Sequence, residues 1–373
     1  MKDSKGSQAR IFEIDGLRAL AILIVVAGHA GLSIVAAGTG VTIFFVISGY
    51  VITASLVKEY KQSNKFSIKK FYLRRIYKII PPLVSIIIIP SVLLFDKLDL
   101  NLGKILSQTF FLWNWSQIFV GDKGIMPGSG VVWSLSVEEQ FYIIIALTWA
   151  IISRVIRFNP IKILSYIYLF LFVVSTFTRV YLSYGTQYVR NSFGDIPRLY
   201  YGTDARIGAI AVGGLVAIIL CGEFGEHFHK KWAQPFSDKK VIYIVFLMSI
   251  LSVSIHNWHF LDTLKFSLQE VAFGFLIAHL ALQKKSSPFY ISRILRLKIF
   301  QMIGRSSYSI YLVHSVLFHL CNSLIPKTGL VSLSHFLLGV MKIILAIILG
   351  KVCHELFDAP FEPLRQKYRI VNI

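Results

Sequence analysis

Arg18 and His29 stand eleven residues apart inside one otherwise apolar stretch. On an α-helix, at about 100° per residue, that spacing brings both side chains to one face with roughly 16 Å of rise between them. Asp15, three residues before Arg18, joins that face. A guanidinium near a membrane edge can reach the headgroups, but an imidazole inside hydrocarbon is costly and marks function by default. Neutral imidazole can take a proton from a hydroxyl as general base, or accept an acyl group as nucleophile. The plainer reading is an imidazole that only hydrogen-bonds a neighbouring backbone group or hydroxyl.

Further polar residues interrupt the apolar runs. Glu138, in WSLSVEEQFY, needs a partner or a proton in such surroundings. It is expected to orient an imidazole or to bind acceptor hydroxyls, or else to form a structural ion pair, with Arg206 the nearest candidate. Glu139 faces about 100° away and suits a structural role. Asp204 and Arg206 at one helix mouth either contact an acceptor or pair with other charges. Tyr311 and His314 are three apart on one face, where structural hydrogen bonding competes with catalysis. Arg75 and Lys78 have the same spacing and, with Arg74, form a group of donors suited to phosphate. His256 and His259 have a metal-clip spacing, but no Cys or carboxylate completes it, so no metal is expected. Cys221, Cys321 and Cys353 lie too far apart for a disulfide framework or a metal site, and no GxSxG elbow or P-loop is present.

The elements that must carry these residues are membrane helices. The chain is 55% hydrophobic with a net charge of +20, its mean hydropathy is +0.64, and apolar runs near 20 residues recur throughout. An all-α polytopic bundle follows, with ten spans at about 12–34, 39–57, 79–95, 131–152, 163–183, 203–221, 241–257, 266–282, 306–323 and 333–353. With the N-terminus inside, the cytoplasmic segments hold 28 of the 39 Lys and Arg and the other side holds eight. That bias is the positive-inside pattern, places both termini in the cytoplasm, and accounts for the basic charge without nucleic acid. Residues 98–120 are aromatic but too polar for a span and read as an interfacial or re-entrant segment on the outer face, and 184–202 as an outer loop. The length of the first run, Arg18 at its start and the spans that follow argue for a retained helix rather than a cleaved leader. The chain ends about twenty residues after the last span, so one integral-membrane domain over 1–373, without a fused soluble domain, is expected.

On this topology His29 lies about five residues, or roughly 8 Å, below the outer end of span one. Glu138, about seven residues into span four, lies at similar depth. The loop 58–78, with eight Lys and Arg against one Glu, serves as a topology signal held to anionic lipid headgroups, or as a docking site for a phosphorylated donor.

Four clusters occur in order: IDGLRALAILIVVAGHA (Ile14–Ala30) with FFVISGYVI (Phe44–Ile52), FYLRRIYKIIPP (Phe71–Pro82), WSLSVEEQFY (Trp133–Tyr142) and SYSIYLVH (Ser307–His314). Together they resemble the membrane-bound acyltransferase-3 family, which O-acylates bacterial surface glycans and related small molecules. Phe357–Pro363 looks like its C-terminal tail. The resemblance implies a catalytic histidine at His29, favours Glu138 of the two carboxylates, and places the family's donor-engaging RxxR motif at Arg75–Lys78. Lys78 replaces the second Arg, supplying charge without bidentate geometry.

The function expected is O-acyl transfer, with acetyl the first choice, from cytoplasmic acetyl-CoA or another acyl-CoA to a sugar hydroxyl. The acceptor would be a surface glycan such as O-antigen or lipopolysaccharide, or a lipid-linked sugar, at the bacterial cytoplasmic (inner) membrane. Arg18, Arg74, Arg75 and Lys78 would hold the donor, and no cofactor would be bound permanently. A succinyl or longer acyl donor fits equally, and oligomeric state is left open. A transporter of an anionic or acylated metabolite is the alternative from another class, but it calls for inverted repeats or paired broken helices, and none is visible. A lipid- or partner-binding scaffold has no use for His29.

Overall fold

The computed structural model describes residues 12–32, 36–94, 101–121, 124–155, 159–185, 196–221, 238, 240–282, 290–324 and 332–368. The described residues form helices and short connections, with no strand among them. Each of the ten expected spans falls on a helix: α1 (Phe12–His29), α2 (Ala37–Ser63), α3 (Ile68–Leu93), α6 (Trp133–Val155), α7 (Pro160–Tyr184), α9 (Thr203–Cys221), α10 (Lys240–Ser254), α12 (Leu264–Leu282), α14 (Lys298–Leu324) and α15 (Ser332–Phe357). Short helices fill the connections: α4 (Leu102–Thr109), α5 (Trp113–Phe119), α8 (Pro197–Tyr201), α11 (Trp258–Asp262), α13 (Tyr290–Leu295) and α16 (Glu362–Lys367). Among the described residues, seven helices are long and apolar enough to cross a bilayer, those built on α2, α3, α6, α7, α9, α12 and α15. This is a polytopic membrane bundle. The other three expected spans fall outside that set: α1 carries Glu13, Asp15 and Arg18 near its start, α10 has 15 residues, and α14 begins in a polar stretch.

Two boundaries depart from the expected path. The basic stretch 58–78 is not a loop, because α2 continues to Ser63 and α3 starts at Ile68 rather than near 79. Nothing in EYKQS breaks a helix until Asn64, which closes α2 in the left-handed conformation (φ 51°), and Ser67 Oγ then caps α3 through the Lys70 N–H. Arg74, Arg75 and Lys78 therefore stand on a helix. Residues 101–120 of the expected interfacial segment form α4 and α5, and the described end of the expected outer loop contains α8. Residues 186–195 of that loop lie outside the described residues, as do His227 and His229 of the stretch 222–237.

Pro81 and Pro82 lie inside α3 and cannot donate to the carbonyls four residues back. The freed Tyr77 carbonyl accepts from Arg365 Nη1 at 3.3 Å. Just beyond, Val84–Ile88 widens to a π-turn. Tyr77 also stacks on Phe361 and Tyr368, 6.4 and 6.1 Å between ring centroids. The C-terminal segment is thus clasped to α3.

Lipid-embedded helices associate through close packing, and small residues make it possible. α9 packs against α2 and α7, and α1 lies between α2 and α14. The α1–α14 contact closes on Gly304, where a Cβ would stand 1.9 Å from the Asp15 carbonyl oxygen. Gly304→Ala must push these helices apart and is expected to destabilise the protein by about 1–3 kcal/mol, as over-packing does. Thermal unfolding of the detergent-purified variant measures this, and an unchanged midpoint would refute the tight contact.

Candidate active site

α1 runs unbroken to His29, so the helix periodicity read from Arg18 and His29 holds, and packing against α14 decides what the two side chains meet. Arg18 Nε donates to Ser307 Oγ at 3.3 Å. At the other end His29 Nδ1 lies 2.8 Å from His314 Nε2, with the two ring planes only 9° apart. His314 is fully buried and His29 is exposed. His29 was expected about five residues inside the span; instead the helix ends on it, because Gly31 (φ 77°) turns the chain. The imidazole stands exposed at the helix end.

The hydrogen-bond partners assign the tautomers. His314 Nδ1 lies 2.7 Å from the Tyr311 carbonyl, which can only accept, so Nδ1 carries the proton. His314 Nε2 is then an acceptor, and His29 Nδ1 must donate to it. That leaves the lone pair on His29 Nε2. A backbone carbonyl and one neutral imidazole thus hold a second imidazole in the form that accepts a proton, the part a carboxylate plays in a serine-hydrolase triad. The Tyr311 hydroxyl is held by Ser134 Oγ at 2.7 Å and the Val131 carbonyl at 2.6 Å.

Tyr311 also lines an inner cavity of about 130 Å³ whose wall includes Arg18, Ser48, Arg75, Lys78 and Glu138. Glu138 accepts from Ser48 Oγ at 2.5 Å and from the Tyr142 hydroxyl, and those two hydroxyls lie 2.7 Å apart. Its described partners are therefore hydroxyls on α2 and on its own helix, not His29 and not Arg206. Arg75 lies with its guanidinium carbon 4.6 Å from the Tyr142 ring centroid and 5.9 Å from that of Phe71, cation over π face.

The three basic residues expected to act together are divided. Arg74 donates to the Tyr368 carbonyl at 2.7 Å and lies 3.9 Å from Glu59. Lys78 Nζ pairs with Asp358 at 2.5 Å, and Asp358 also accepts from His354 Nδ1 at 2.8 Å and from Arg365. Arg75 and Lys78 do share a cavity wall, as their spacing requires, while Arg74 points to the C-terminal segment. At the basic end of the bundle a second cavity, about 410 Å³, is lined by Asp15, Arg18, Lys78, Arg305, His354 and Arg365 among others. Arg18 and Lys78 belong to both walls, so the two cavities meet there.

Asp204 and Arg206 separate although they are two residues apart. Asp204 takes Arg198 Nη2 at 2.7 Å. Arg206, 2% exposed, is boxed by the rings of Phe266 (4.3 Å), Tyr200, Trp133 and Phe45 (5.8–5.9 Å). Its Nη2 donates to Thr42 Oγ1 at 3.3 Å, and among the described residues Nε and Nη1 have no hydrogen-bond partner. The intramembrane ion pair lies elsewhere, between Arg179 and Glu270, two hydrogen bonds of 2.8 and 3.2 Å. His256 bonds the Ser254 carbonyl, whereas His259 stacks on Tyr184 and bonds Ser183, so the two imidazoles have separate tasks. Ser48, Tyr142, Arg305, Arg365 and Asp358 escaped the reading of the sequence. His314 was singled out with Tyr311 in the SYSIYLVH motif, but nothing in the sequence paired it with His29.

Comparison with known proteins adds an independent observation. A family model described as an acyltransferase domain matches residues 11–352. The O-acetyltransferase OatA of Staphylococcus aureus (strain NCTC 8325 / PS 47) is 27% identical over 370 residues, covering 93% of this chain and 56% of that protein. The peptidoglycan O-acetyltransferase OatA of Listeria monocytogenes serovar 1/2a is 30% identical over 326 residues, covering 84% of this chain and 50% of that protein. The chain thus spans about half the length of the curated relatives it matches.

Proposed function

Because this chain belongs to the acyltransferase family whose model spans residues 11–352, we propose that it is an O-acetyltransferase that moves an acetyl group from acetyl-CoA on the basic side of the membrane to a glycan hydroxyl on the other side. The observation that carries the reading is the His29–His314 pair, whose neighbour Tyr311 lines an inner cavity that shares Arg18 and Lys78 with a basic mouth. At that mouth Arg18, Lys78, Arg305 and Arg365 outnumber Asp15 and Glu362, which suits the phosphates of coenzyme A. The pantetheine arm then follows the Arg18 face of α1, and the roughly 16 Å from Arg18 to His29 is within its extended reach.

His29 Nε2 removes the proton from the acceptor hydroxyl as its oxygen attacks the thioester carbonyl. The tetrahedral intermediate collapses by breaking the C–S bond, and the imidazolium returns the proton to the coenzyme A thiolate. Acetyl ester and free coenzyme A result, with the histidine restored. Glu138, with Ser48 and Tyr142, fixes the inner wall along which the arm lies, and Arg75 over Tyr142 stiffens it. The acceptor class is taken from the Listeria relative, whose name specifies peptidoglycan.

Reconstitution into vesicles of one orientation tests the proposal. Acetyl-CoA supplied to the face bearing Arg74, Arg75 and Lys78 is expected to yield acetylated saccharide on the other side, one for each coenzyme A released. Solute movement without acetyl transfer, or donor use only from the other face, would overturn it. Arg305→Ala, at an exposed residue of the basic cavity, is expected to weaken coenzyme A binding in isothermal titration by about tenfold. The loss should shrink at high salt, where screening already weakens the contact. Equal affinity at low salt would remove Arg305 from the donor site.

A further inference from the structure

A third cavity, about 250 Å³, opens at the end of the bundle where α1 finishes, and neither the donor path nor the histidine pair uses it. Its wall combines Trp258, Tyr200, Asp262, Lys265, Gln269 and Thr39. Trp258 is 58% exposed, whereas Asp262 and Gln269 are buried. Gln269 Nε2 donates to Thr39 Oγ1 at 3.2 Å and to Ser252 Oγ at 3.1 Å, and Asp262 accepts from Ser183 Oγ at 3.2 Å, so the polar floor is held rigid.

The start of α2 ties the cavity to the end of α1. Gly28 packs so closely on α2 that a Cβ there would stand 2.7 Å from that of Ala37, and Ala36 to Thr39 line the cavity. His29 is the next residue after Gly28. Tyr200 and Phe266, two of the rings around buried Arg206, also line this cavity, and Phe45, a third, lines the inner one. The donor-side and outer cavities are therefore two sides of one aromatic partition.

The composition selects a ligand class. The basic mouth is rich in cations, but here one Lys stands against one Asp, so a phosphorylated ligand gains little. The exposed indole of Trp258 suits the C–H face of a sugar ring, while a carboxylate, an ammonium, an amide and a hydroxyl together match hydroxyls that both donate and accept. We propose that this cavity is the acceptor subsite, binding a neutral sugar ring of a glycan with Trp258 as its stacking platform and presenting a hydroxyl toward His29 Nε2. The assignment rests on the acetyl-transfer reading for its role in catalysis, though not for sugar binding itself.

The test uses detergent-purified full chain, with a tetramer of N-acetylglucosamine as the saccharide probe and acetyl-CoA as donor. The wild-type protein is expected to bind the tetramer in isothermal titration and to acetylate it. Trp258→Ala should raise both the dissociation constant and the KM for the tetramer at least tenfold while coenzyme A affinity stays at the wild-type value. Trp258→Phe, which keeps an aromatic face, should recover most of the loss. Binding that depends on Trp258 without any transfer would uphold the sugar site and overturn the acetyl-transfer reading. Transfer with a KM indifferent to Trp258→Ala would overturn the site and leave that reading intact. No binding and no transfer by the wild-type protein would overturn both.

Discussion

His29→Ala is expected to lower acetyl transfer by about 10²–10⁴-fold, the usual contribution of a positioned general base. The argument rests on the proton inventory of the pair. With the Tyr311 carbonyl holding the His314 Nδ1 proton, only His29 Nε2 offers a lone pair to an acceptor hydroxyl. Coenzyme A affinity should be unchanged, because the cationic mouth lies about three helical turns away along α1. Exposure of His29 at the helix end means the truncation leaves no buried void, so expression and membrane insertion should match the wild type. His314→Ala should lower kcat with coenzyme A affinity retained, since it releases the His29 tautomer without touching the donor mouth. Wild-type turnover by the His29→Ala variant at equal protein level would end the base assignment.

The largest expected effect on stability comes from Asp358, which the sequence marked only as part of the Phe357–Pro363 tail. Its side chain is fully buried and receives Lys78, His354 and Arg365 at once. Asp358→Ala would leave Lys78 without its counter-charge and Arg365 with Glu362 alone, a change expected to cost about 3 kcal/mol, the low end for broken buried pairs because both cations keep some contact with water. It would also free the clasp between the C-terminal segment and α3, and with it two cations of the basic cavity. Thermal unfolding in detergent and coenzyme A titration should therefore both deteriorate. A variant that melts with the wild type would mean that Lys78 and Arg365 turn to water at little cost.

The two variants separate two kinds of site. One has a local chemical task at the end of a helix, and the other joins segments 280 residues apart in sequence. Loss of activity with intact folding belongs to His29, and loss of folding with activity following it belongs to Asp358.

Much of this molecule is legible in one dimension. The apolar runs carry the helices because hydrocarbon forces every backbone group to find its partner within the segment. The Arg18–His29 face is legible because an α-helix converts sequence spacing into direction, and α1 is unbroken over that stretch. The four motif clusters announce the acyltransferase family, and the family model over residues 11–352 bears that out. The ends of α2 and α3 were misjudged for a related reason. Hydropathy marks where lipid stops, and a helix of good helix-formers continues past that point until a residue such as Asn64 ends it.

Partnership was decided by tertiary structure alone. Glu138 had a plausible mate in Arg206 by charge, yet packing gave it Ser48 and Tyr142, and gave Arg206 a box of rings. His29 had no visible mate, and the α1–α14 contact at Gly304 supplied His314 from 285 residues away. Arg74, Arg75 and Lys78 looked like one cluster because they are neighbours in sequence, but successive helical residues diverge by about 100°, so Arg75 turns to Tyr142 while Arg74 and Lys78 both reach the C-terminal segment. Spacing along a helix determines which way a side chain faces. What stands opposite depends on which helix packs there and at what height, and in this bundle that is set by where glycines let two backbones touch.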